Sequence, residues 1–379
     1  MTVILHVQPV AERGGSDQLL LRMIRDLPST EFENHVVVPG PSPLAAEFEA
    51  AGARLHVVPM RRLTLSAPLG YRVAYALAWP VVVARIALVA RRVRADVVHT
   101  NSLHSLYGWA VARLVRRPHV WHAREIVVQS GPALRLERLL AMRFADVVVA
   151  ASNAIAAQLQ PDNVRVMTDG VDADVFGPHR AGRFRAAEGI ADDTPLCGFA
   201  GRVDTWKGLD VLLDAFPLIR ASSPTAELVI AGGTVLGKER YAAFLRERVE
   251  AMPGVRWLGA RDDVPELLAD LDVFVLPSTT PEPFGMALVE ALASGVPSVA
   301  TDAGGPREIA AHVGEALQLV PSGEAAPLAG AVTSRLPAAS SAADRRARPP
   351  RWTAPRPDYA GLFRDVSRRG ALTKRFDPR

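Results

Sequence analysis

Short apolar runs rich in β-branched residues alternate along almost the whole chain with longer segments whose apolar positions recur every three or four residues. The short runs have the length of strands, and the longer segments have the period of amphipathic helices. Strands that are apolar at nearly every position are typical of a parallel sheet with helices on both faces. The alternation therefore predicts an α/β protein with doubly wound sheets.

The strand pattern occurs as two successive series. The first predicts strands at residues 3–7, 35–39, 54–59, 95–100, 119–123, 145–150 and 163–167. The second predicts strands at residues 196–203, 226–233, 255–260, 272–277, 296–302 and 316–320. A chain of 379 residues is longer than one hydrophobic core usually supports. We therefore predict an N-terminal domain over residues 1–178 and a C-terminal domain over residues 179–336, with the break near residues 176–184.

Composition excludes several classes of protein. The chain is 49% hydrophobic and 22% charged, as expected of a folded globular protein. Its single cysteine, Cys197, excludes a disulfide scaffold and a multi-cysteine metal site, and predicts a buried thiol in a reducing compartment. The N-terminal residues lack the basic start and long apolar core of a secretory signal peptide. We therefore expect a cytoplasmic protein.

The net charge of +4 depends on the C-terminal tail. Residues 337–379 carry 11 Arg and Lys against 4 Asp and Glu, whereas residues 179–336 carry 14 against 21. No segment combines basic and aromatic residues in the manner of a nucleic-acid-binding module. We therefore expect no nucleic acid partner.

One apolar stretch, residues 73–90, is long enough to raise the question of a membrane span, since Arg85 is its only charge. Pro80 interrupts the run, and the next strand pattern follows directly, which argues against a span. Arg85 and Arg92 fall opposite an apolar helical face that is formed by Val82, Ile86, Val89 and Val93. The stretch predicts an amphipathic helix, packed on its sheet or lying on a membrane surface.

Two cations lie in the segment GRVDTWKG, residues 201–208, between a predicted strand and a predicted helix. Arg202 is at the carboxyl end of the strand and Lys207 is at the start of the helix. Open α/β sheets bind ligands at that edge. Two fixed cations there suit a diphosphate, although a solvated surface loop would carry the same residues.

Two carboxylates lie in the segment 281–301, where a Pro-rich loop leads into a helix near Gly285. Glu282 is in the loop, and Glu290 follows eight positions later inside the helix. Gly285 lets backbone N–H groups approach a phosphate at the positive end of the helix. Glu290 is then placed to accept hydrogen bonds from ribose hydroxyls, and a plain surface charge is the alternative.

A third segment, WLGARDD at residues 257–263, ends a neighbouring predicted strand. Its backbone is placed to pair with a nucleobase. A simple β–α turn without a binding role would give the same pattern.

Taken in order, the short motifs of the second half resemble the signature of the retaining glycosyltransferases of family 4. The motifs are Gly201-Arg202, Lys207-Gly208, Glu282-Pro-Phe-Gly285, Glu290-Ala-Leu-Ala-Ser-Gly295 and Asp302-Ala-Gly-Gly305. The resemblance extends over residues 1 to about 325. It implies two facing Rossmann-like domains, the GT-B architecture, with a nucleotide-sugar site in the cleft. It also implies transfer of a sugar from a UDP- or GDP-sugar to an acceptor hydroxyl with retention at the anomeric carbon.

The resemblance assigns a role to each matching residue. Arg202 and Lys207 correspond to cations that bind the donor diphosphate, and Glu282 and His122 correspond to catalytic residues that face the donor sugar. Further donor contacts are implied for Gly285, Met286 and Ala287 with sugar and phosphate, Glu290 with ribose, Arg261 and Asp263 near the base, and Gly14 and Gly15 near phosphate and acceptor.

The family mechanism implied by the resemblance uses no metal and no cofactor. The leaving diphosphate, held by protein cations and a helix N-terminus, takes the acceptor proton, and the protein supplies charge stabilisation and positioning. The partners implied are a nucleotide sugar and an acceptor from cell-surface glycan, glycolipid or natural-product biosynthesis, with peripheral membrane contact left open. Asp270-Leu-Asp272 resembles a metal-binding motif of another architecture, but it joins a helix end to a buried strand, and we interpret it as structural.

Two departures from the family pattern occur. The chain has Asp169-Gly170-Val171-Asp172 where the family usually has Asn-Gly-Val-Asp, and we expect the turn geometry to survive. Residues 337–357 form a Pro/Arg-rich segment that favours irregular structure over the usual helices. Residues 358–369 recover helical spacing and resemble the terminal helix that joins the first domain.

Two other functions stay open on the sequence alone. One is a nucleotide-sugar epimerase or hydrolase on the same architecture. The other is an inactive donor-binding partner subunit, although the intact motif residues argue against it.

Overall fold

The computed structural model describes residues 1–11, 14–61, 68–127, 131–159, 163–235, 237–336, 340–352 and 356–376. The chain forms two compact units, Met1–Asp169 with Pro357–Arg379, and Gly170–Arg356. The second unit thus begins ahead of the predicted break near residues 176–184. The reason is local packing, since Val171 and Phe176 already contact its hydrophobic core.

Seven parallel strands form the sheet of the first unit within the described residues. They are β1 (Thr2–Val7), β2 (Phe32–Val38), β3 (Ala53–Val57), β4 (Val97–Thr100), β5 (His119–Ala123), β6 (Val147–Ala150) and β7 (Val164–Val166). Its connecting helices are α1 (Gly15–Asp26), α2 (Ala45–Ala50), α3 (Leu69–Arg92), α4 (Gly108–Val115), α5 (Gly131–Phe144) and α6 (Asn153–Leu159). The strand order is β3-β2-β1-β4-β5-β6-β7.

Both faces of this sheet are buried, which explains why its strands are apolar at nearly every position. Ile4 and Val36 belong to the core on one face, and their neighbours Leu5 and Val37 belong to the core on the other. The residues of α1 cover the first face and those of α3 cover the second. The central strands β1 and β2 therefore alternate between two dry interfaces, whereas the edge strands β3 and β7 are partly exposed.

Six parallel strands form the sheet of the second unit in the described part of the chain. They are β8 (Leu196–Ala200), β9 (Glu227–Ala231), β10 (Val255–Gly259), β11 (Val273–Leu276), β12 (Ser298–Thr301) and β13 (Leu317–Val320). The helices are α7 (Arg183–Glu188), α8 (Leu209–Ser222), α9 (Glu239–Glu250), α10 (Val264–Asp270), α11 (Met286–Ala293), α12 (Gly305–Val313), α13 (Ala325–Thr333) and α14 (Ala342–Arg346). The strand order is β10-β9-β8-β11-β12-β13.

The two sheets confirm the predicted doubly wound α/β class. In each, the chain builds strands outward from one central strand and then returns to build on its other side, so the order reverses between β1 and β4 and between β8 and β11. Cys197 of β8 is buried as predicted, and burial raises the pKa of its thiol to about 12.

Helix α3 continues through Pro80, so the predicted interruption of the apolar run does not break the helix. The predicted faces are confirmed, because Val82 and Ile86 are buried whereas Arg85 and Arg92 are exposed. Among the described residues, α3 is the one helix with the length and composition to cross a membrane, and 33% of its most apolar window is buried.

Within the segment predicted to be irregular, 337–357, the described residues 340–352 contain one short helix, α14, and are otherwise irregular, whereas 337–339 and 353–355 lie outside the described residues. Ser341 caps α14 in a capping box with Asp344. Arg345 is completely buried and pairs with Asp270 at 3.3 Å and with Asp192 at 2.5 Å. Long-range ion pairs order this segment, and composition and periodicity do not report such pairs.

The same contacts confirm the structural interpretation of Asp270 and Asp272. Both carboxylates are buried, and Asp272 accepts hydrogen bonds from Arg185 and Arg348 at 2.8 Å. Asp270 accepts hydrogen bonds from the backbone N–H groups of Gly182 and Arg185 at 2.5 and 3.0 Å. Buried carboxylates that are saturated in this way hold the unit together.

The C-terminal helix α15 (Tyr359–Phe376) packs on the first unit. Its buried side chains, Tyr359, Leu362, Phe363 and Val366, belong to the same core as α1. The hydroxyl of Tyr359 donates a hydrogen bond to Asp169 Oδ1 at 2.9 Å.

Candidate active site

Loops that follow β8 and β11 carry the predicted charged residues of the second unit. Arg202 follows β8, and Lys207 ends a 3₁₀ turn over Thr205–Lys207. Glu282 follows β11. Because β8 and β11 are parallel neighbours, both loops leave the same edge of the sheet. The strand order reverses at this point, which is where open α/β sheets bind ligands.

The centre of this edge is an ion pair between Lys207 and Glu282. Lys207 Nζ lies 2.9 Å from Glu282 Oε1 and 2.8 Å from Oε2, and the two side chains are 12% and 7% exposed. Ser278 Oγ donates a third hydrogen bond to Oε2 at 2.7 Å. The ammonium also lies 4.2 Å from the centre of the Trp206 ring. The predicted diphosphate cation and the predicted sugar-facing carboxylate are therefore in direct contact.

Backbone contacts between the two loops explain why this pair forms. The N–H of Thr279 donates to the carbonyl of Trp206 at 2.8 Å. Gly208 has φ +68°, and a Cβ there would lie 2.0 Å from the carbonyl oxygen of Pro277. Only glycine allows the turn after β8 to approach the end of β11 so closely.

The backbone of Glu282 is fixed by the segment that follows β12. Its carbonyl accepts a hydrogen bond from Gly305 N–H at 2.8 Å, and its N–H donates to Ala303 at 3.3 Å. Gly304 has φ +74°, and a Cβ there would lie 2.2 Å from the carbonyl oxygen of Glu282. The Ala-Gly-Gly motif at 303–305 therefore permits the close approach that holds the Glu282 loop.

Helix α11 presents its N-terminus and one side to this edge. Gly285 is the N-cap residue, and no described side chain caps the helix. Met286, Ala287 and Glu290 are half-buried, whereas the other five residues of the helix are buried. The helix thus offers unpaired N–H groups and a partial positive charge beside the ion pair.

Arg202 provides an exposed cation at the same edge. In the part of the chain that the structure describes, its guanidinium makes no hydrogen bond and no ion pair. Arg202 can therefore bind an anion without first giving up a carboxylate partner, whereas Lys207 is paired with Glu282.

Arg261 and Asp263 are brought together after β10, but they bind each other. The guanidinium donates to the two carboxylate oxygens of Asp263 at 2.7 and 2.6 Å and to Glu188 at 2.8 Å. These hydrogen bonds raise the pKa of Arg261, and the bond from Arg261 lowers the pKa of Asp263. Their predicted place beside a base stays a prediction, and their charges are already paired.

His122 of the first unit is buried, with 1% of its surface exposed. Its Nδ1 lies 3.4 Å from the Arg124 guanidinium, and its Nε2 has no hydrogen-bond partner among the described residues. Burial and the charge of Arg124 lower its pKa well below the usual value. The ring contacts His99 and Tyr359 at centroid distances of 5.7 and 5.9 Å. The predicted place of His122 beside a donor sugar stays a prediction, and in the structure its ring packs against His99, Tyr359 and Arg124.

The sequence did not lead us to predict a pair of histidines, His6 and His99, next to His122. His6 and His99 are register partners on β1 and β4, and their Nδ1 atoms lie 2.9 Å apart. His6 Nε2 lies 3.0 Å from Asn34 Oδ1. Histidines at matching positions of two predicted neighbouring strands are the signal that could have found this pair.

Asp169, one of the departures from the family pattern, has a specific partner. Its Oδ2 accepts a hydrogen bond from the buried guanidinium of Arg124, and its Oδ1 accepts the hydrogen bond from Tyr359. A carboxylate rather than an amide at this position therefore neutralises a buried cation.

Gly14 and Gly15 begin helix α1, and no described side chain caps that helix. A Cβ at Gly15 would meet open space. Beside this turn, Asn101 Nδ2 donates to Gln8 Oε1 at 2.8 Å and to the carbonyl of Ser16 at 3.0 Å. At the reversal point of the first sheet these neutral amides lie against the buried Arg124, whose Nε donates to Asn101 Oδ1 at 2.9 Å.

Two family models match the chain. The model described as Glycosyl transferases group 1 matches residues 194–336, and the model described as Glycosyltransferase Family 4 matches residues 13–175. The lipopolysaccharide core biosynthesis mannosyltransferase LpsB of Rhizobium meliloti is 30% identical over 241 residues, which cover 55% of this chain and 68% of that protein. The chain belongs to glycosyltransferase family 4.

A second relative of this family 4 protein is a D-inositol 3-phosphate glycosyltransferase of Jonesia denitrificans. It is 31% identical over 250 residues, and the match spans 57% of this chain and 58% of that protein. The chain thus matches less than two thirds of the length of this relative.

Solved structures share the fold of this family 4 protein. HepE of Anabaena, in complex with UDP and glucose, has a TM-score of 0.75 at 24% identity and covers 98% of this chain and 99% of that chain. WaaG, a glycosyltransferase involved in lipopolysaccharide biosynthesis, has a TM-score of 0.67 at 17% identity and covers 96% and 98%. These similarities confirm the two-domain GT-B fold.

Two residues of the family 4 site were not predicted from the sequence. Ser278, which binds Glu282, lies two residues after the end of β11, and Trp206, which lies against Lys207, is the residue before Lys207 in the same turn. Their position next to the motif residues is the signal that could have found them. Metal independence stays a prediction; among the described residues, no three His, Cys, Asp or Glu side chains are placed to hold an ion.

Proposed function

We propose that this family 4 protein transfers a sugar from a nucleoside-diphosphate sugar to an acceptor hydroxyl, with retention at the anomeric carbon. The observation that carries the proposal is the Lys207–Glu282 pair beside the exposed Arg202 and the uncapped N-terminus of α11. This edge supplies two cations and unpaired N–H groups, which suit a diphosphate. A carboxylate and a lysine in contact suit the adjoining sugar.

In this proposal the diphosphate lies against Arg202, Lys207 and the first N–H groups of α11. An ammonium has three donors, and Glu282 accepts two of them, so Lys207 can bind Glu282 and a phosphate oxygen together. Glu290 lies one turn further along the half-buried side of α11, where it would accept ribose hydroxyls. The cations then stabilise the negative charge that develops on the leaving diphosphate.

The contacts of Glu282 favour a same-face substitution over a covalent glycosyl-enzyme intermediate. Its two carboxylate oxygens accept hydrogen bonds from Lys207 and Ser278. A carboxylate whose charge is neutralised in this way is a weak nucleophile. We therefore propose that the leaving diphosphate accepts the acceptor proton while the new bond forms on the face it leaves.

The donor is best tested first as UDP-glucose, because HepE of Anabaena has been solved with UDP-glucose and with UDP and glucose. The acceptor is proposed to lie on the first unit, since the donor contacts named here belong to the second. Cell-surface glycan, glycolipid and natural-product pathways all use such transfers. LpsB acts in lipopolysaccharide core biosynthesis by its name, which favours a glycolipid acceptor.

The exposed side of α3 supports contact with a membrane surface. Its large exposed apolar residues are Leu69, Val73, Leu77, Val81 and Leu88, with exposures between 49% and 73%. The helix contains no acidic residue, and Arg72, Arg85 and Arg92 are exposed. Apolar side chains flanked by arginines suit an anionic lipid surface.

Turnover assays with the full chain test the function. UDP-glucose and GDP-mannose would be screened by thermal shift, where a donor at 100 times its Kd adds about 2.7 kcal/mol of stability. Incubation with donor and a panel of acceptors should yield an α-linked product from an α-linked donor, as seen by NMR. EDTA should leave the rate unchanged; a loss restored by manganese would contradict the metal-free mechanism.

The same assays separate the alternatives. A sugar epimer or free sugar formed as fast from donor alone would identify an epimerase or hydrolase. Donor binding without any turnover across the acceptor panel would favour an inactive partner subunit.

A further inference from the structure

The loop that carries Glu282, residues 281–285, contacts a residue far along the chain. Phe284 of this loop is buried, and its ring meets the ring of Trp352 edge-on, with centroids 6.3 Å apart and planes at 69°. Trp352 follows α14 in the tail that the sequence predicts to be irregular. It brings this tail into contact with the loop of the candidate site.

Trp352 also contacts helix α12, which begins at the segment that binds the loop. Its ring lies 5.9 Å from the ring of His312 on α12, at 64°. Helix α12 begins at Gly305, whose N–H binds the carbonyl of Glu282. Trp352 therefore packs against the loop that carries Glu282 and against the helix whose first residue binds that loop.

The tail is anchored to the second unit by contacts that do not involve the loop. Arg348 donates to Asp272 Oδ1 at 2.8 Å and to the carbonyl of Leu271 at 2.5 Å. The N–H of Arg351 donates to the carbonyl of Leu292, at the end of α11, at 2.7 Å. With Arg345 also buried, these contacts fix the chain directly before Trp352. The tryptophan is thus held against Phe284 from a rigid support.

We propose that Trp352 is a positioning residue, which through Phe284 sets the 281–285 loop so that Glu282 meets Lys207 and Ser278. This proposal rests on the function proposed above. The indole Nε1 has no acceptor among the described residues, so packing rather than hydrogen bonding makes the contact. A displacement of about 1 Å in such a group can lower a rate by about 10²-fold.

The first experiment compares Trp352→Ala with Trp352→Phe in the full chain. The alanine variant should lower kcat at least about 10-fold, while the phenylalanine variant, which keeps an aromatic edge, should stay within about 3-fold of the parent. The Kd for UDP alone should change by a smaller factor than kcat in both variants, because the proposed nucleotide contacts of Arg202 and Glu290 lie outside the displaced loop. Unchanged kcat in Trp352→Ala would overturn the proposal.

A double-mutant cycle tests whether the effect passes through Phe284. If it does, Phe284→Leu combined with Trp352→Leu should be no slower than the slower single variant. Additive losses of kcat would contradict the route through Phe284. Phe216→Leu is the matched control, since Phe216 is a buried core residue of α8 that lies outside the loop. It should lower Tm without lowering kcat.

Hydrogen exchange separates this proposal from the proposed function. In Trp352→Ala the amides of Glu282 and Gly305, which bridge the loop and α12, should exchange faster than in the parent. The amide of Leu228, bonded to Gly254 within the sheet, should not change. If the parent turns over no donor yet this pattern appears, the positioning stands and the proposed function fails. Uniform exchange at all three amides would overturn the positioning.

Discussion

The two sheets of this protein share a topology, but their reversal points are occupied by different chemistry. Between β8 and β11 the structure places Lys207 in contact with Glu282, beside an exposed arginine. Between β1 and β4 it places the neutral pairs Gln8–Asn101 and His6–His99. Among the described residues at these two edges, the second carries the exposed Arg202 beside the ion pair, whereas at the first the buried Arg124, which binds Asn101, is neutralised by Asp169. We therefore expect side chains at the strand ends to determine which unit binds the donor.

The largest expected effect is loss of the cations of the second unit. Lys207→Ala and Arg202→Ala should each reduce turnover by roughly 10²- to 10³-fold, because preorganised charge no longer stabilises the leaving diphosphate. Lys238→Ala is the matched control, since this half-exposed lysine pairs with Asp204 at 3.7 Å near the same loop. Steady-state kinetics measure all three. Near-normal rates in both site variants would contradict the proposal that the charged edge of the second sheet binds the diphosphate.

The next prediction concerns stability at low pH. Lowering the pH should destabilise the first unit more than the second. Burial lowers the pKa of His6 to about 4 and of His119 to about 3, and it lowers those of His99 and His122 as well. Because the folded pKa lies below the unfolded value near 6.5, the stabilisation is complete above pH 6.5 and is lost as the pH falls towards 4. Each such group then contributes a loss of about 1.4 kcal/mol per pH unit.

Hydrogen exchange of the full chain at pH 7 and pH 5 would measure this loss in both units at once, after correction for intrinsic rates. Of the nine histidines, only His179 and His312 belong to the second unit, and both are exposed. Core amides of the first unit should lose protection, while those of the second should keep it. Equal losses in the two units would show that buried histidines do not distinguish them.

A smaller effect should separate the two carboxylates of the second unit. Glu290→Gln should weaken UDP binding about 10- to 100-fold, since it removes a charged hydrogen-bond acceptor from the proposed ribose contact. Glu282→Gln should leave UDP affinity nearly unchanged and lower kcat with the intact donor. Calorimetry with UDP and rates with the donor distinguish the two. Equal losses of UDP affinity would refute the assignment.

The smallest predicted effect is on lipid binding, and it should be confined to the first unit. Leu77→Gln on α3 should weaken binding to anionic vesicles about 10-fold, because a leucine that is 73% exposed would no longer bury its side chain in lipid. Phe244→Gln on α9 is the control in the second unit, where an exposed phenylalanine stands among charged residues. Vesicle sedimentation at low salt measures both. Parent protein that fails to sediment would end the membrane proposal.

The sequence by itself determined the fold class and the order of the candidate site motifs along the chain. Apolar runs of strand length indicate buried strands of a parallel sheet, so the thirteen strands of the described residues could be predicted from local pattern. The motif glycines could be recognised as well, and the structure explains two of them, Gly208 and Gly304, by backbone approaches that no Cβ would allow. The exposed Arg202 follows from its place at a strand end.

Tertiary structure alone decided which charges neutralise each other and which histidines lie inside. Lys207 and Glu282 are 75 positions apart, and they meet because β8 and β11 become neighbours. His122 ends up inside because Tyr359 of α15 and Arg124 pack against its ring. The tail with Arg345 and Trp352 is ordered by buried carboxylates of another helix and strand. The spacing of apolar residues and their helix or strand propensity depend only on the local sequence. Ion pairing and burial depend on which other segments pack against it.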